Sequence, residues 1–202
     1  MDTVVFDLGK VLLDWNPGYF YGRFFPGDER ALERFLADAV PAEWIVEMDA
    51  GKPARTAIAE RQRRLPQHAE LIGRWSEGWP QMLRGEIRGT VEILAELRRR
   101  GVRLLALTNF SVETWPIAQQ RFDFLGWFED VVVSGEHRVA KPDPRIFELA
   151  IARWNLVPSQ TVFTDDSPAN VATARSFGMR ALHFTEPAAL CAELVELGLL
   201  ER

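Results

Sequence analysis

The sequence predicts an α/β fold: a parallel β-sheet covered by helices on both faces, carrying an inserted helical block. Three observations predict it. From Gly89 to the end, apolar strand-like runs alternate with helix-periodic segments. One more apolar run, Val4-Val5-Phe6, stands apart at the start of the chain. Between them, from Pro17 to about Arg84, the pattern is helical throughout. Apolar strands linked by helices imply a sheet buried on both faces. Such sheets place their ligand site at the carboxyl ends of the strands. An insert leaving the end of the first strand then sits over that site as a lid. The expected division is a core of residues 1–14 and 89–202 and a helical cap of residues 15–88.

The elements follow in order. Val4-Val5-Phe6 is a strand ending on Asp7. The insert contains "DERALERFLADAV", "PAEWIVEM", "ARTAIAERQRRL" and "HAELIGRWSEGWPQML", separated by Pro and Gly breakers, with no convincing β run among them. Thr90 is placed to cap a helix through Arg100, with Gly101 ending it. The strands "VRLLALTN" and "EDVVVSG" come next. Asp143 and Pro144 read as cap and first residue of the helix "PRIFELAIARW". "TVFTDD" is a strand, and Ser167-Pro168 starts a helix ending at Gly178. The strand "RALHF" and the helix "PAALCAELVELGLL" close the chain.

Composition narrows the function classes. With 202 residues, 47% of them hydrophobic, the chain can bury a substantial core. A net charge of −5 argues against a general nucleic-acid binder, which needs a basic surface to neutralise phosphates. The clusters Arg98-Arg99-Arg100 and Arg61-Gln62-Arg63-Arg64 read as solvated helix faces. Cys191 is the single cysteine, so neither an intrachain disulfide nor a cysteine metal cluster is available. No apolar run approaches membrane-spanning length and no leader is evident, so cytoplasm is the expected compartment. The sequence does not address the oligomeric state.

Polar residues stand where the buried strands run out: Asp7, Thr108-Asn109, Lys141 shortly after "VVVSG", and Asp165-Asp166. The topology brings them to one edge of the sheet. Three carboxylates together repel one another and resist ionisation. A lysine helps, and a divalent cation balances them better; all-oxygen ligation by few protein groups suits Mg²⁺ meeting a substrate phosphate. A carboxylate can attack phosphorus, and the transferring phosphoryl group then needs cations and short donors around it.

The stretches "FDLGKVL", "LTNFS", "KPDP" and "FTDDSPAN" resemble, in order, the four motifs of the haloacid dehalogenase-like hydrolases, in the branch with a helical cap after the first motif. The resemblance spans the whole chain and implies a Rossmann-like parallel sheet. It implies a hydrolase, a phosphatase of small phosphorylated metabolites that uses Mg²⁺ and an aspartyl-phosphate. Asp7 would be the nucleophile and a metal ligand, with the Gly9 backbone carbonyl also on the metal. Thr108 and the Asn109 region would hold the phosphoryl group, and Lys141 would neutralise it and Asp7. Asp166 would ligate Mg²⁺, with Asp165 a second direct or water-mediated ligand. The "Asp-Leu-Gly" start is similar to a branch that includes sugar 1-phosphate phosphatases, which makes sugar phosphates an expected substrate group.

One departure matters. Family phosphatases usually carry a second Asp two residues after the nucleophile, where this chain has Gly9. That acid protonates the leaving group, and such help contributes about 10²- to 10⁴-fold. Asp14 or a metal-bound water is an alternative proton source, an easily departing leaving group needs less help, and a non-catalytic phosphate-binding protein needs none. Lys10, beside the nucleophile's turn, reads as solvent-facing. Trp15 and Asn16, at the hinge, are expected to contact a ligand; Tyr19, Phe20, Trp44, Trp75 and Trp79 divide between cap core and pocket wall. His137 reads as a loop histidine. A 2-haloacid dehalogenase is the enzymatic rival, but its metal-free site has little use for Asp165 and Asp166. A signalling receiver domain places its acid pair after the first strand and its lysine after the last, the reverse of the order here.

Overall fold

The computed structural model describes residues 2–201. The strands are β1 (Thr3–Phe6), β2 (Leu13–Trp15), β3 (Leu83–Glu86), β4 (Arg103–Thr108), β5 (Asp130–Val133), β6 (Thr161–Asp165) and β7 (Arg180–His183). The helices between β2 and β3 are α1 (Gly18–Tyr21), α2 (Glu29–Ala39), α3 (Ala42–Asp49), α4 (Ala54–Arg64), α5 (Ala69–Gly73) and α6 (Trp75–Met82). Those that follow are α7 (Arg88–Arg99), α8 (Trp115–Arg121), α9 (Ser134–His137), α10 (Pro144–Trp154), α11 (Pro168–Ser176) and α12 (Pro187–Glu196).

Five strands form one parallel sheet in the order β5-β4-β1-β6-β7. β1 is central, with Phe6 level with Ala106 on one side and Thr164 on the other. The chain runs outward through β4 and β5, then returns to β6 and β7. The strand order therefore reverses around β1, and its carboxyl end is the switch point where this fold binds ligands. Alternation within the strands fills both faces. Val5, Leu105, Leu107 and Phe163 pack under α10 and α11 against Phe147, Trp154 and Val171. Val4, Phe6, Leu104 and Val162 pack on the other face with Leu94 and Leu97 of α7 and Leu190 and Leu194 of α12. This is the α/β architecture expected from the sequence.

The chain leaves the core and returns to it through a ribbon: β2 and β3 pair antiparallel, Leu13 opposite Glu86 and Asp14 opposite Gly85. α1–α6 pack their own aromatic core, with Tyr21 and Phe35 ring centroids 4.9 Å apart and Trp44 and Trp75 5.0 Å apart. Gly78 allows α6 to lie on Phe20, whose ring atoms would stand 2.4 Å from an added Cβ. The apolar cluster continues without a break into the sheet layer, where Trp79 meets Phe110 at 5.5 Å.

Three local expectations need correction. Thr90 does not cap its helix: α7 begins at Arg88 after Ile87, and Thr90 is fully buried with its hydroxyl unpaired. The first turn is anchored instead by the Thr90 and Val91 N–H groups donating to the Ile87 carbonyl. The ribbon places strand at Leu83–Glu86, where the sequence pattern predicts helix to Arg84. α8 is an added element between β4 and β5. Asp143, by contrast, accepts from the Arg145 N–H at 2.9 Å and caps α10 as expected.

Candidate active site

The carboxyl ends of β1, β4 and β6 deliver Asp7, Thr108 and Asp165 to one edge of the sheet, with Asp166 one residue beyond. The carboxylates of Asp7, Asp165 and Asp166 offer oxygens that all lie within 4.8 Å of one another. Lys141, in the loop between α9 and α10, reaches in from the side. Its ammonium donates to Asp165 at 2.6 Å and lies 2.8 Å from Asp7, with the residue 2% exposed. Asn109 holds that loop in place: its amide donates to the Lys141 carbonyl at 2.9 Å and accepts from the Lys141 N–H at 2.8 Å. Its side chain is thus occupied in positioning the lysine loop.

The three acids differ in character. Asp165 is fully buried and also accepts from the Asn170 amide and, at 2.9 Å, from the Ser167 N–H. With Lys141, these donors occupy about all the lone-pair sites a carboxylate has. Asp166 is partly exposed, and its carboxylate lies 3.9 Å from the Lys10 ammonium. Burial raises its carboxyl above the ordinary range, which Lys10 opposes and Asp165 reinforces. Burial pushes Asp7 up to about 7, against the pull of Lys141 and with the added repulsion of Asp165. Burial alone would lower Lys141, but the charges of Asp165 and Asp7 outweigh it and hold the ammonium protonated. One cation thus serves two buried anions, with a third acid open beside them. That excess negative charge fits a bound divalent cation. The Thr108 hydroxyl is buried with no partner. An unpaired buried hydroxyl is costly unless a ligand satisfies it.

A cavity of about 170 Å³ opens next to this edge, between the sheet and α1–α6. Gly9 and Asn109 form its floor; Trp15, Trp75, Trp79 and Phe110 form much of its apolar wall. An apolar cavity of about 150 Å³ is enough to bind benzene. Trp15 has a buried indole N–H without a partner. Asn16 is not among the lining residues; its side-chain oxygen accepts from the Gly18 N–H at 2.7 Å and starts α1. Phe20 and Trp44 are buried in the apolar core packed by α1–α6, and Tyr19 lies at the surface, donating to Asp14 at 2.7 Å. His137 is outside the lining set as well. Lys10 takes a left-handed conformation, φ 57°, in the turn after Gly9. Sequence reasoning misses two acids in the cavity wall, Asp49 and Glu113. Burial pushes the Asp49 carboxyl up to about 7, opposed by the Ser111 N–H and reinforced by the charge of Asp7. The only sequence signal for Asp49 is an acid just before Gly51, on an insert that rises over the site.

A family model of haloacid dehalogenase-like hydrolases matches residues 1–178. The chain is 26% identical over 198 residues to the sesquiterpene phosphatase astK of Aspergillus oryzae, covering 96% of this chain and 95% of that protein. It is 26% identical over 192 residues to a phosphorylated carbohydrates phosphatase of Thermotoga maritima, covering 91% and 84%. Among solved structures it superposes with TM-score 0.68 and 20% identity on the family enzyme bt-2542 of Bacteroides thetaiotaomicron, solved with magnesium and inorganic phosphate, covering 92% and 95%. At that identity the likeness is one of fold. Among the described residues, no helix is long and apolar enough to cross a membrane.

Proposed function

The chain belongs to the haloacid dehalogenase-like hydrolases, and on that premise we propose that it is a Mg²⁺-dependent phosphatase of small phosphorylated metabolites, carrying the phosphoryl group on Asp7. The observation that supports this most is the arrangement of Lys141 between Asp7 and Asp165, with Asp166 open beside them and an unpaired Thr108 hydroxyl across the edge.

In this reading residues 1–14 and 89–202 are the catalytic core and 15–88 the cap, hinged on the β2–β3 ribbon. Asp7, Asp166 and the Gly9 carbonyl would hold Mg²⁺, and Asp165, already saturated by donors, would contribute through its charge or through a water. Bound there, Mg²⁺ would supply positive charge to the phosphoryl oxygens and favour the anionic form of Asp7. Asp7 attacks phosphorus. The Thr108 hydroxyl and the Asn109 backbone orient the phosphoryl oxygens, and Lys141 balances the charge that moves onto them. Trp15 presents its free indole N–H to the leaving group. The cavity volume limits that group to a small one, and its aromatic wall favours one with an apolar face, either an aryl ring or the flat face of a sugar.

The test is a panel of sugar 1-phosphates, alkyl phosphates, an aryl phosphate and a 2-haloacid, assayed with Mg²⁺ and with chelator, alongside Asp7→Asn. The proposal expects phosphate release that needs both Mg²⁺ and Asp7. Halide release without metal would instead identify a dehalogenase. Tight Mg²⁺ and phosphate binding with no turnover would identify a binding protein.

A further inference from the structure

We propose that Asp49, reaching over from the helical insert, is the acid that protonates the leaving-group oxygen, in place of the acid absent at Gly9. The proposal rests on the phosphatase reading above.

Two geometrical facts carry it. First, the space beside the nucleophile is vacant: a Cβ built on Gly9 meets nothing within 4 Å. That vacancy belongs to the cavity whose floor is Gly9 and whose wall includes Asp49. A leaving group seated there departs from the phosphoryl site towards the Asp49 side. Second, Asp49 is held there by the core. Its carbonyl accepts from the Ser134 hydroxyl at 2.6 Å, and the same hydroxyl accepts from the Phe110 N–H at 2.9 Å. Two residues on, Gly51 has φ 90°, and an added Cβ would stand 2.9 Å from Arg138 and 3.2 Å from the Gly135 carbonyl. The end of α3 is therefore pressed onto α9, and this fixes where the acid sits.

The other acids are accounted for. Among the described residues, Glu113 is the second acid lining the cavity, and its carboxylate accepts from the Ala54 N–H at 2.9 Å at the start of α4. Asp14 is outside the lining set and accepts from Tyr19. Burial, with the charge of Asp7 adding to it, places Asp49 near neutrality at about 7, suited to giving and regaining a proton.

The step balances. As an Asp7 oxygen bonds to phosphorus, the ester P–O bond breaks and its electron pair stays on the leaving oxygen. That oxygen takes the Asp49 proton and departs as the alcohol. Asp49, now a carboxylate, takes a proton from the water whose oxygen bonds to phosphorus. The Asp7–phosphorus bond breaks, and phosphate leaves with one water consumed.

The experiment compares wild type, Asp49→Asn, Asp7→Asn and the double variant Asp49→Asn with Gly9→Asp on an alkyl and a p-nitrophenyl phosphate. Asp49→Asn is expected to lose about 10²- to 10⁴-fold in kcat/KM on the alkyl ester. On p-nitrophenyl phosphate, whose leaving group departs without a proton, the loss is expected to stay within about tenfold. The alkaline limb of the alkyl-ester pH profile should disappear in Asp49→Asn while the other charged groups around it (Asp7, Glu113 and Arg138) are retained. Gly9→Asp, for which there is room, should restore alkyl-ester turnover in the Asp49→Asn background, a rescue that a purely structural Asp49 would not show. Equal losses on both esters without rescue, or no loss on the alkyl ester, overturn the proposal. If Asp7→Asn keeps wild-type activity, or wild type releases no phosphate, the phosphatase reading fails and this one with it. An inactive Asp7→Asn beside an unaffected Asp49→Asn sinks the Asp49 role alone.

Discussion

Replacing the proposed nucleophile should make the metal-free protein more stable, by an amount that grows with pH. Asp7 is 7% exposed, and its carboxyl is raised from 3.8 to about 7 by burial and neighbouring acids against the pull of Lys141. The native state therefore keeps this proton over a range where the unfolded chain has lost it. Stability linked to Asp7 is fully present below about pH 4, falls as pH rises, and is gone above about pH 7. At ~1.4 kcal/mol per pKa unit the whole window is worth about 4 kcal/mol. In Asp7→Asn the substituted amide carries no charge, and its oxygen can still accept from Lys141. The stability advantage of Asp7→Asn over wild type should therefore grow by about 2 kcal/mol between about pH 5.5 and about pH 8.5. Urea unfolding of both proteins in chelator at the two pH values measures it, because the titrations of groups away from Asp7 are common to the pair. Added Mg²⁺ should shrink the difference by stabilising wild type preferentially. An advantage that does not change with pH, or a variant less stable than wild type at the higher pH, would refute the reasoning. It would mean that the Asp7–Lys141 ion pair outweighs burial.

Other predictions follow from the same contacts. Lys141→Met leaves Asp7 and Asp165 buried without their shared cation; it should destabilise by about 3–5 kcal/mol in chemical unfolding and abolish turnover. Ser134→Ala removes the hydroxyl shared by the Asp49 carbonyl and the Phe110 N–H. It should cost about 1–3 kcal/mol and lower alkyl-ester turnover more than aryl-ester turnover in parallel assays. Gly78→Ala drives a methyl into the Phe20 ring and should cost about 1–3 kcal/mol in thermal or urea unfolding, through the insert's own core.

The sheet was legible because its strands are buried on both faces, so that Val4–Phe6, Leu104–Leu107 and Val162–Phe163 read as unbroken apolar runs. Asp143-Pro144 was legible as a helix start because capping is a local interaction. The β2–β3 ribbon was not. Leu13-Asp14-Trp15 and Leu83–Glu86 are too short for periodicity, and their pairing joins segments on either side of the whole insert. Thr90 misled because a Ser or Thr before an apolar stretch is a cap signal only when its side chain is outside the core; here the helix begins two residues earlier and buries it. At the site, Asp7, Thr108, Lys141, Asp165 and Asp166 could be brought together on paper because each follows a strand end. Asp49 could not. In the sequence it is the last residue of an ordinary helix, and its place in the wall of the cavity that Gly9 also lines is held by a hydroxyl on α9, across the proposed domain boundary.

The central claim is that Asp7 takes the phosphoryl group. The most direct measurement is rapid acid quench during the first turnover of a ³²P-labelled aryl phosphate with Mg²⁺, followed by peptide mapping. The account predicts that release of the first alcohol is matched by acid-stable, hydroxylamine-sensitive label on the peptide containing Asp7, absent in chelator and in Asp7→Asn. A burst of alcohol with no label on Asp7, or label on another residue, would contradict it.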